Sequence, residues 1–296
     1  MREEQDGWQP GSEVSPEGPT RQVERAMLTR FQIPLRPVER WAVLPAAHGR
    51  AVRALLYYWL GRGNGEFAAR LHARSGAPRP FACSMLLGAG EAQHGAHLLS
   101  SDGGYWIEFC ALTEEARAVL AAGLPEEGER VRIARTQVAV SGPPVVTEQQ
   151  AYSELLEAPP STRWRFRFLS PVVIEPEGSD QPLLLPIPRY LFSGLVLRWN
   201  ALVVEESKGI PTFPVGAALA YVEETVRLLH VGALRTVSLN GPAGGLRGFT
   251  GEIELAAAPD DSANLRALGA LVRFAAWAGV GGRTLEGAGR TEVEWL

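Results

Sequence analysis

Apolar and polar residues repeat along the chain with two different periods, and the switches between them mark the elements. Ala26–Pro34 alternates residue by residue, which predicts a first strand. From about Ala46 to Leu60 the period lengthens to that of a helix. Val52, Leu55, Leu56 and Trp59 form its apolar stripe, and Arg50, Arg53 and Tyr57 share another side. Gly61–Gly65 breaks it, and Glu66–Leu71 makes a short second helix ending at Leu71-His72. Phe81–Leu87 and Tyr105–Leu112 read as strands, Glu114–Ala122 as a helix with Thr113 as its N-cap, and Val131–Val140 as a closing strand. The order is β-α-β-β-α-β.

The same order recurs further on. Arg163–Leu169 alternates strictly, with Trp164, Phe166 and Phe168 to one side and Arg163, Arg165 and Arg167 to the other. A helix is predicted in the latter part of Pro186–Asn200, with Pro188 as its start signal. Leu234–Leu239 and Glu252–Ala257 are strands, Leu265–Ala278 is a helix and Arg290–Trp295 a last strand. The expected fold is therefore α+β, two tandem ferredoxin-like (βαββαβ) domains. Their expected limits are 25–142 and 161–296, with 143–160, which carries four prolines, as a linker. Residues 1–24 mix Pro, Gly, Ser and acids without periodicity and are expected to be a disordered acidic tail.

Composition narrows the class without choosing a function. Hydrophobic residues make up 46% and charged ones 21%, as in soluble globular proteins. No run of about eighteen apolar residues predicts a membrane span, and the N-terminus has no signal-peptide pattern, so a cytoplasmic location is expected. Cys83 and Cys110 are the two cysteines and form no CxxC, so neither a disulfide framework nor a zinc site is predicted, and no cofactor is expected. A net charge of −4 argues mildly against a nucleic-acid binder. However, residues 1–25 alone hold six acidic against three basic side chains, and Lys208 is the one lysine among the cations. Charge thus decides little.

Candidate chemistry concentrates in arginines, glycines and histidines. Gly279–Arg290 contains Gly281, Gly282, Gly287 and Gly289 beside Arg283 and Arg290. Its backbone N–H groups suit either a phosphate or a structural turn. It is neither a Walker loop nor a dinucleotide fingerprint. Arg163, Arg165 and Arg167 form a row spaced about 6.5–7 Å apart, an RNA track or a solvated face. Arg247 joins Arg283 and Arg290 as an RNA-binding candidate because it lies beside glycines. His94 and His97 sit three apart in a loop without an evident third metal ligand. His230 stands alone.

Taken together, several segments resemble the CRISPR-associated endoribonucleases of the RAMP superfamily that process precursor crRNA. The second half reads FLSPVVI, LPIPRYLFSGLVLRWN, LRGFTGEIEL and LVRFAAWAGVGGRTLEGAGRTEV, and the first LLYYWL, ARLHARSGAPRPFACSMLL and YWIEFCALTEEARAVL. The resemblance spans residues 26–296. It implies metal-independent cleavage of CRISPR repeat RNA, leaving a 5′-hydroxyl and a 2′,3′-cyclic phosphate. In family members with a tyrosine, histidine and lysine site, the histidine follows a leucine before a Phe-containing strand, and His72 matches that place. Tyr57 matches the tyrosine. Arg79 matches the lysine with a one-residue insertion, and a guanidinium can stabilise a phosphate but cannot shuttle a proton. His48 is the rival histidine, with packing at the helix start as its plainer role. Implied partners are pre-crRNA, a CRISPR effector complex and a second copy of the chain. A non-catalytic RAMP subunit that binds crRNA, or a ferredoxin-like RNA-binding module outside CRISPR, is the alternative.

Overall fold

The computed structural model describes residues 26–296 apart from 74, 75, 77, 160, 180, 207, 208, 240–245 and 260–262. The tail expected over 1–24 lies outside the described residues. The first half runs β1 (Met27–Pro37), β2 (Trp41–Pro45), α1 (Gly49–Gly63), α2 (Gly65–Ala73), β3 (Phe81–Cys83), β4 (Ala96–Ser100), β5 (Tyr105–Ala111), α3 (Glu114–Gly123), β6 (Arg130–Ile133), β7 (Thr136–Val140), β8 (Val145–Ala151) and α4 (Tyr152–Glu157). The second half runs β9 (Arg163–Val172), α5 (Pro188–Glu206), α6 (Val215–Thr225), β10 (Val226–Leu239), β11 (Leu246–Ala257), α7 (Ala263–Ala278) and β12 (Thr291–Trp295). A 3-10 turn, Thr284–Glu286, sits in the glycine-rich loop before β12.

The first sheet has the order β3-β5-β1-β7-β6, and the second β10-β11-β9-β12. Taking β1, β3, β5 and β7 as the four strands of the motif, the spatial order is second-third-first-fourth. The second sheet repeats it. Two tandem ferredoxin-like domains, as the alternation predicts, are what the chain forms.

Each sheet buries one face under two helices. Phe31, Ile33 and Leu35 on β1 and Ile107 and Phe109 on β5 pack against Val52, Leu55, Leu56 and Trp59 of α1. The Trp59 and Phe109 rings meet edge to face at 5.8 Å. Thr113 caps α3, accepting the Ala116 N–H at 3.2 Å. The two helices cross on glycines. A Cβ at Gly63 would lie 2.0 Å from the Val119 carbonyl oxygen, and one at Gly123 1.9 Å from that of Trp59. In the second domain Trp164, Phe166 and Phe168 turn inward onto Phe192, Val196 and Trp199 of α5 and Phe274 of α7.

Four expectations change. Residues 143–160 are not a bare linker, because β8 pairs with β1 from Met27 to Gln32 and α4 follows it. β8 holds its place through backbone hydrogen bonds while its side chains stay mostly exposed, so it leaves no apolar period to read. Val131–Val140 is a hairpin of β6 and β7, turning at Ala134, whose φ is 54°. The strand expected over Phe81–Leu87 stops at Cys83. β2 and β4 pair with each other as a separate ribbon that the first-half pattern did not predict.

Candidate active site

The helices α1 and α2 fold back on each other at Asn64, whose side chain accepts the Phe67 N–H at 3.0 Å. Phe67 and Leu71 are buried in the domain core. That fixes the rotation of α2 and leaves His72, in its last turn, exposed. The Tyr57 ring on α1 stands perpendicular to the His72 ring, with centroids 5.5 Å apart. The Arg79 guanidinium donates to the Leu71 carbonyl, capping the C-terminal turn of α2 beside His72. The three side chains named from the sequence thus form one cluster at the entry to β3.

Burial and neighbouring charges shape it. Burial pushes the Tyr57 phenol above its ordinary value of 10, against the opposing pull of Arg79 and Arg53. The phenol is therefore a hydrogen-bond donor, not a base, at neutral pH. Arg53 donates to Glu286 at 2.7 Å, and Arg50 lies 3.6 Å from the same carboxylate. Glu286 went unnoticed in the sequence because its partners lie more than two hundred positions away.

His48 sits just before α1 and is buried. Its Nδ1 donates to the Pro45 carbonyl at 2.8 Å, and its Nε2 accepts the Leu86 N–H at 2.8 Å. Burial lowers its pKa to about 4. Both nitrogens are spent inside the fold. His97 lies edge-on to it at 5.8 Å and bonds the Gly90 carbonyl, His94 is an exposed loop residue with φ 51°, and His230 is exposed on β10.

The arginine row on β9 meets carboxylates from both neighbouring strands. Arg165 reaches Glu254 at 2.7 Å, Glu294 at 3.0 Å and Glu252 at 3.2 Å. Arg163 reaches Glu254, and Arg167 reaches Glu252, Glu292 and Glu294. Three guanidiniums against four carboxylates make an ion-pair ladder across the sheet face, so the row is not a run of unneutralised charge. Strand register, invisible within one strand's sequence, is the cause.

The glycine-rich loop is likewise turned inward. The N–H groups of Val280, Gly282 and Gly289 donate to the carbonyls of Gly289, Val173 and Pro171, at 2.7–2.9 Å. Gly287 and Gly289 are buried with φ of 77° and 72°. A Cβ at Gly287 would lie 2.6 Å from the Met85 nitrogen, so the loop docks onto the first domain. Gly281 touches Val173, while Gly282 is exposed. Arg283 pairs with Glu175 at 2.9 Å. Arg290 pairs with Glu108, which also holds Arg30 and binds the two domains across their interface. Arg247 is exposed on β11.

Residues 166–291 match the family described as CRISPR-associated endoribonuclease Cas6. No curated protein sequence matches the chain. Among solved structures, a Cas6 product complex superposes with a TM-score of 0.72 at 23% identity, covering 90% of this chain and 99% of that one. A Thermus thermophilus Cas6 gives 0.63 at 23%, covering 91% and 99%. A Cas6-related protein from Pyrococcus furiosus gives 0.63 at 14%, covering 90% and 98%. At these identities the structural likeness speaks for the fold.

Proposed function

We propose that this chain, a Cas6-type CRISPR-associated protein, is an endoribonuclease that cuts CRISPR repeat RNA at the Tyr57–His72–Arg79 cluster. The single observation that carries the reading is the edge-to-face contact of Tyr57 and His72 beside Arg79. It gathers a proton carrier, a hydroxyl donor and a fixed cation at an exposed helix end.

The chemistry assigned to the three is an in-line transesterification. The His72 imidazole takes the proton of a ribose 2′-hydroxyl as that oxygen attacks the adjacent phosphorus. The bond from phosphorus to the 5′-oxygen breaks on the opposite side, and the 5′-oxygen takes a proton from water. The products are a 2′,3′-cyclic phosphate and a 5′-hydroxyl. The Tyr57 hydroxyl and the free N–H groups of Arg79 donate to the non-bridging oxygens, where charge accumulates. Arg79 already spends one donor on the Leu71 carbonyl, which holds it in position.

The experiment compares a cognate repeat RNA with the same RNA carrying a single 2′-deoxy substitution at the scissile nucleotide, both in excess EDTA. Cleavage of the first and none of the second is expected. Cleavage of the deoxy substrate, or activity that chelation removes and a divalent ion restores, contradicts the mechanism.

A further inference from the structure

The edge of the first domain carries a groove of about 420 Å³ between the β2–β4 ribbon and the β6–β7 hairpin. One wall presents Trp41, Val43 and Leu98, which are 55%, 63% and 67% exposed. Val43 faces Leu98 directly across the ribbon, and Trp41 is two residues from Val43 on the same face. Arg132 and Arg135 line the other wall, and the Thr136 hydroxyl donates to the Val43 carbonyl at 2.6 Å, fastening the walls together. Glu39 is the one carboxylate among the lining residues.

The charge around this groove differs from that of β9 and of the glycine-rich loop. Arg36 and Arg130 lie on either side of Ala139 on one sheet face, and Arg40 sits in the turn leading to Trp41. All five of these arginines, Arg36, Arg40, Arg130, Arg132 and Arg135, are exposed. Among the described residues none of the five has an ion-pair partner. The arginines of β9 and of the glycine-rich loop, by contrast, are all paired. Like charges gathered at one edge repel, and a polyanion relieves that cost.

A wide-open indole beside unneutralised guanidiniums is the pairing that single-stranded nucleic acid uses. Bases stack on the ring and the phosphates meet the cations. We infer that this groove binds a single-stranded stretch of RNA outside the cleavage site. The inference rests on the RNA reading given above. β6 is the sheet edge opposite β3, four strand spacings away, or about 19 Å. Since the Tyr57–His72–Arg79 cluster adjoins β3, RNA held in the groove flanks the cut rather than contacting it.

The test uses the full chain and a labelled mixed-sequence single-stranded RNA of about twelve nucleotides, followed by fluorescence anisotropy at several salt concentrations. Trp41→Ala weakens binding by roughly 5- to 150-fold, the usual worth of one stacked base, and Trp41→Phe restores most of it. Arg132→Ala with Arg135→Ala lowers the slope of affinity against salt by about 1.4, two single-strand phosphate contacts, whereas Trp41→Ala leaves the slope unchanged. Cleavage of repeat RNA at saturating protein keeps its rate in every variant. Parental affinity for the oligonucleotide in the alanine variants overturns the groove alone, leaving the nuclease reading intact. A change in sedimentation mass without loss of RNA binding assigns the groove to a second copy and also overturns it. If the unaltered chain cleaves no repeat RNA yet binds the oligonucleotide through Trp41 and these arginines, the groove stands and the nuclease reading fails.

Discussion

Two histidines of the first domain show how much a residue's role depends on where its neighbours end. His48 spends both ring nitrogens on backbone groups and is held neutral by burial, at about 4. The unfolded chain binds its proton near 6.5. Between those values the unfolded state carries more protons, so stability rises with pH. The contribution is whole above about pH 6.5 and is lost as pH falls toward 4, by about 3 kcal/mol. Urea unfolding of the parent and of His48→Gln across this range should show the parent's additional slope disappearing in the variant. Equal slopes would mean that the imidazole is not held neutral. His72, by contrast, was placed by its Leu71-His72 dipeptide and the resemblance. The helical pattern supplied the reason for its exposure, since Phe67 and Leu71 fix which way α2 faces.

At the scale of elements, what could be read from the sequence is whatever buries a periodic face. The alternation of Trp164, Phe166 and Phe168, the stripe of α1 and the Thr113 cap all appear in the structure because one side of each meets a core. β8 was missed since it is an exposed strand held by its backbone, and the β2–β4 ribbon since its outer face is apolar and open. The glycine-rich loop shows the opposite failing. Its composition was conspicuous, but composition alone could not tell an anion cradle from a docking element. Its internal hydrogen bonds favour docking. Gly287→Ala would combine a positive φ with a backbone clash and should cost more than about 2 kcal/mol. Gly282→Ala, exposed and at ordinary φ, should stay within about 0.5 kcal/mol. Equal effects in thermal melts would return both glycines to a shared, ligand-facing role.

Across the whole molecule, the two domains are joined by buried charge as well as apolar contact. Glu108 draws Arg30 and Arg290 together, and Arg30 also donates to the Ala276 carbonyl at 3.0 Å. Glu286 ties the second domain's loop to α1 through Arg53. This docking contacts the helix on which Tyr57 stands, so the proposed site rests on the assembled pair of domains rather than on the first one alone. The same charges explain why arginines that looked like RNA contacts in the sequence are occupied in the fold. Those of β9 and of the glycine-rich loop met carboxylates distant in the chain, which no local pattern could announce, while Arg247 has no ion-pair partner among the described residues. The central claim remains the cluster at the end of α2. Its most direct test is the single-turnover cleavage rate of repeat RNA by His72→Ala beside His48→Ala, scaled to the folded fraction of each. His72→Ala should lose roughly 10²–10⁴ in rate with RNA affinity nearly unchanged, and His48→Ala should lose stability but keep its rate. Full activity in a well-folded His72→Ala, or abolished cleavage confined to His48→Ala, would contradict the account.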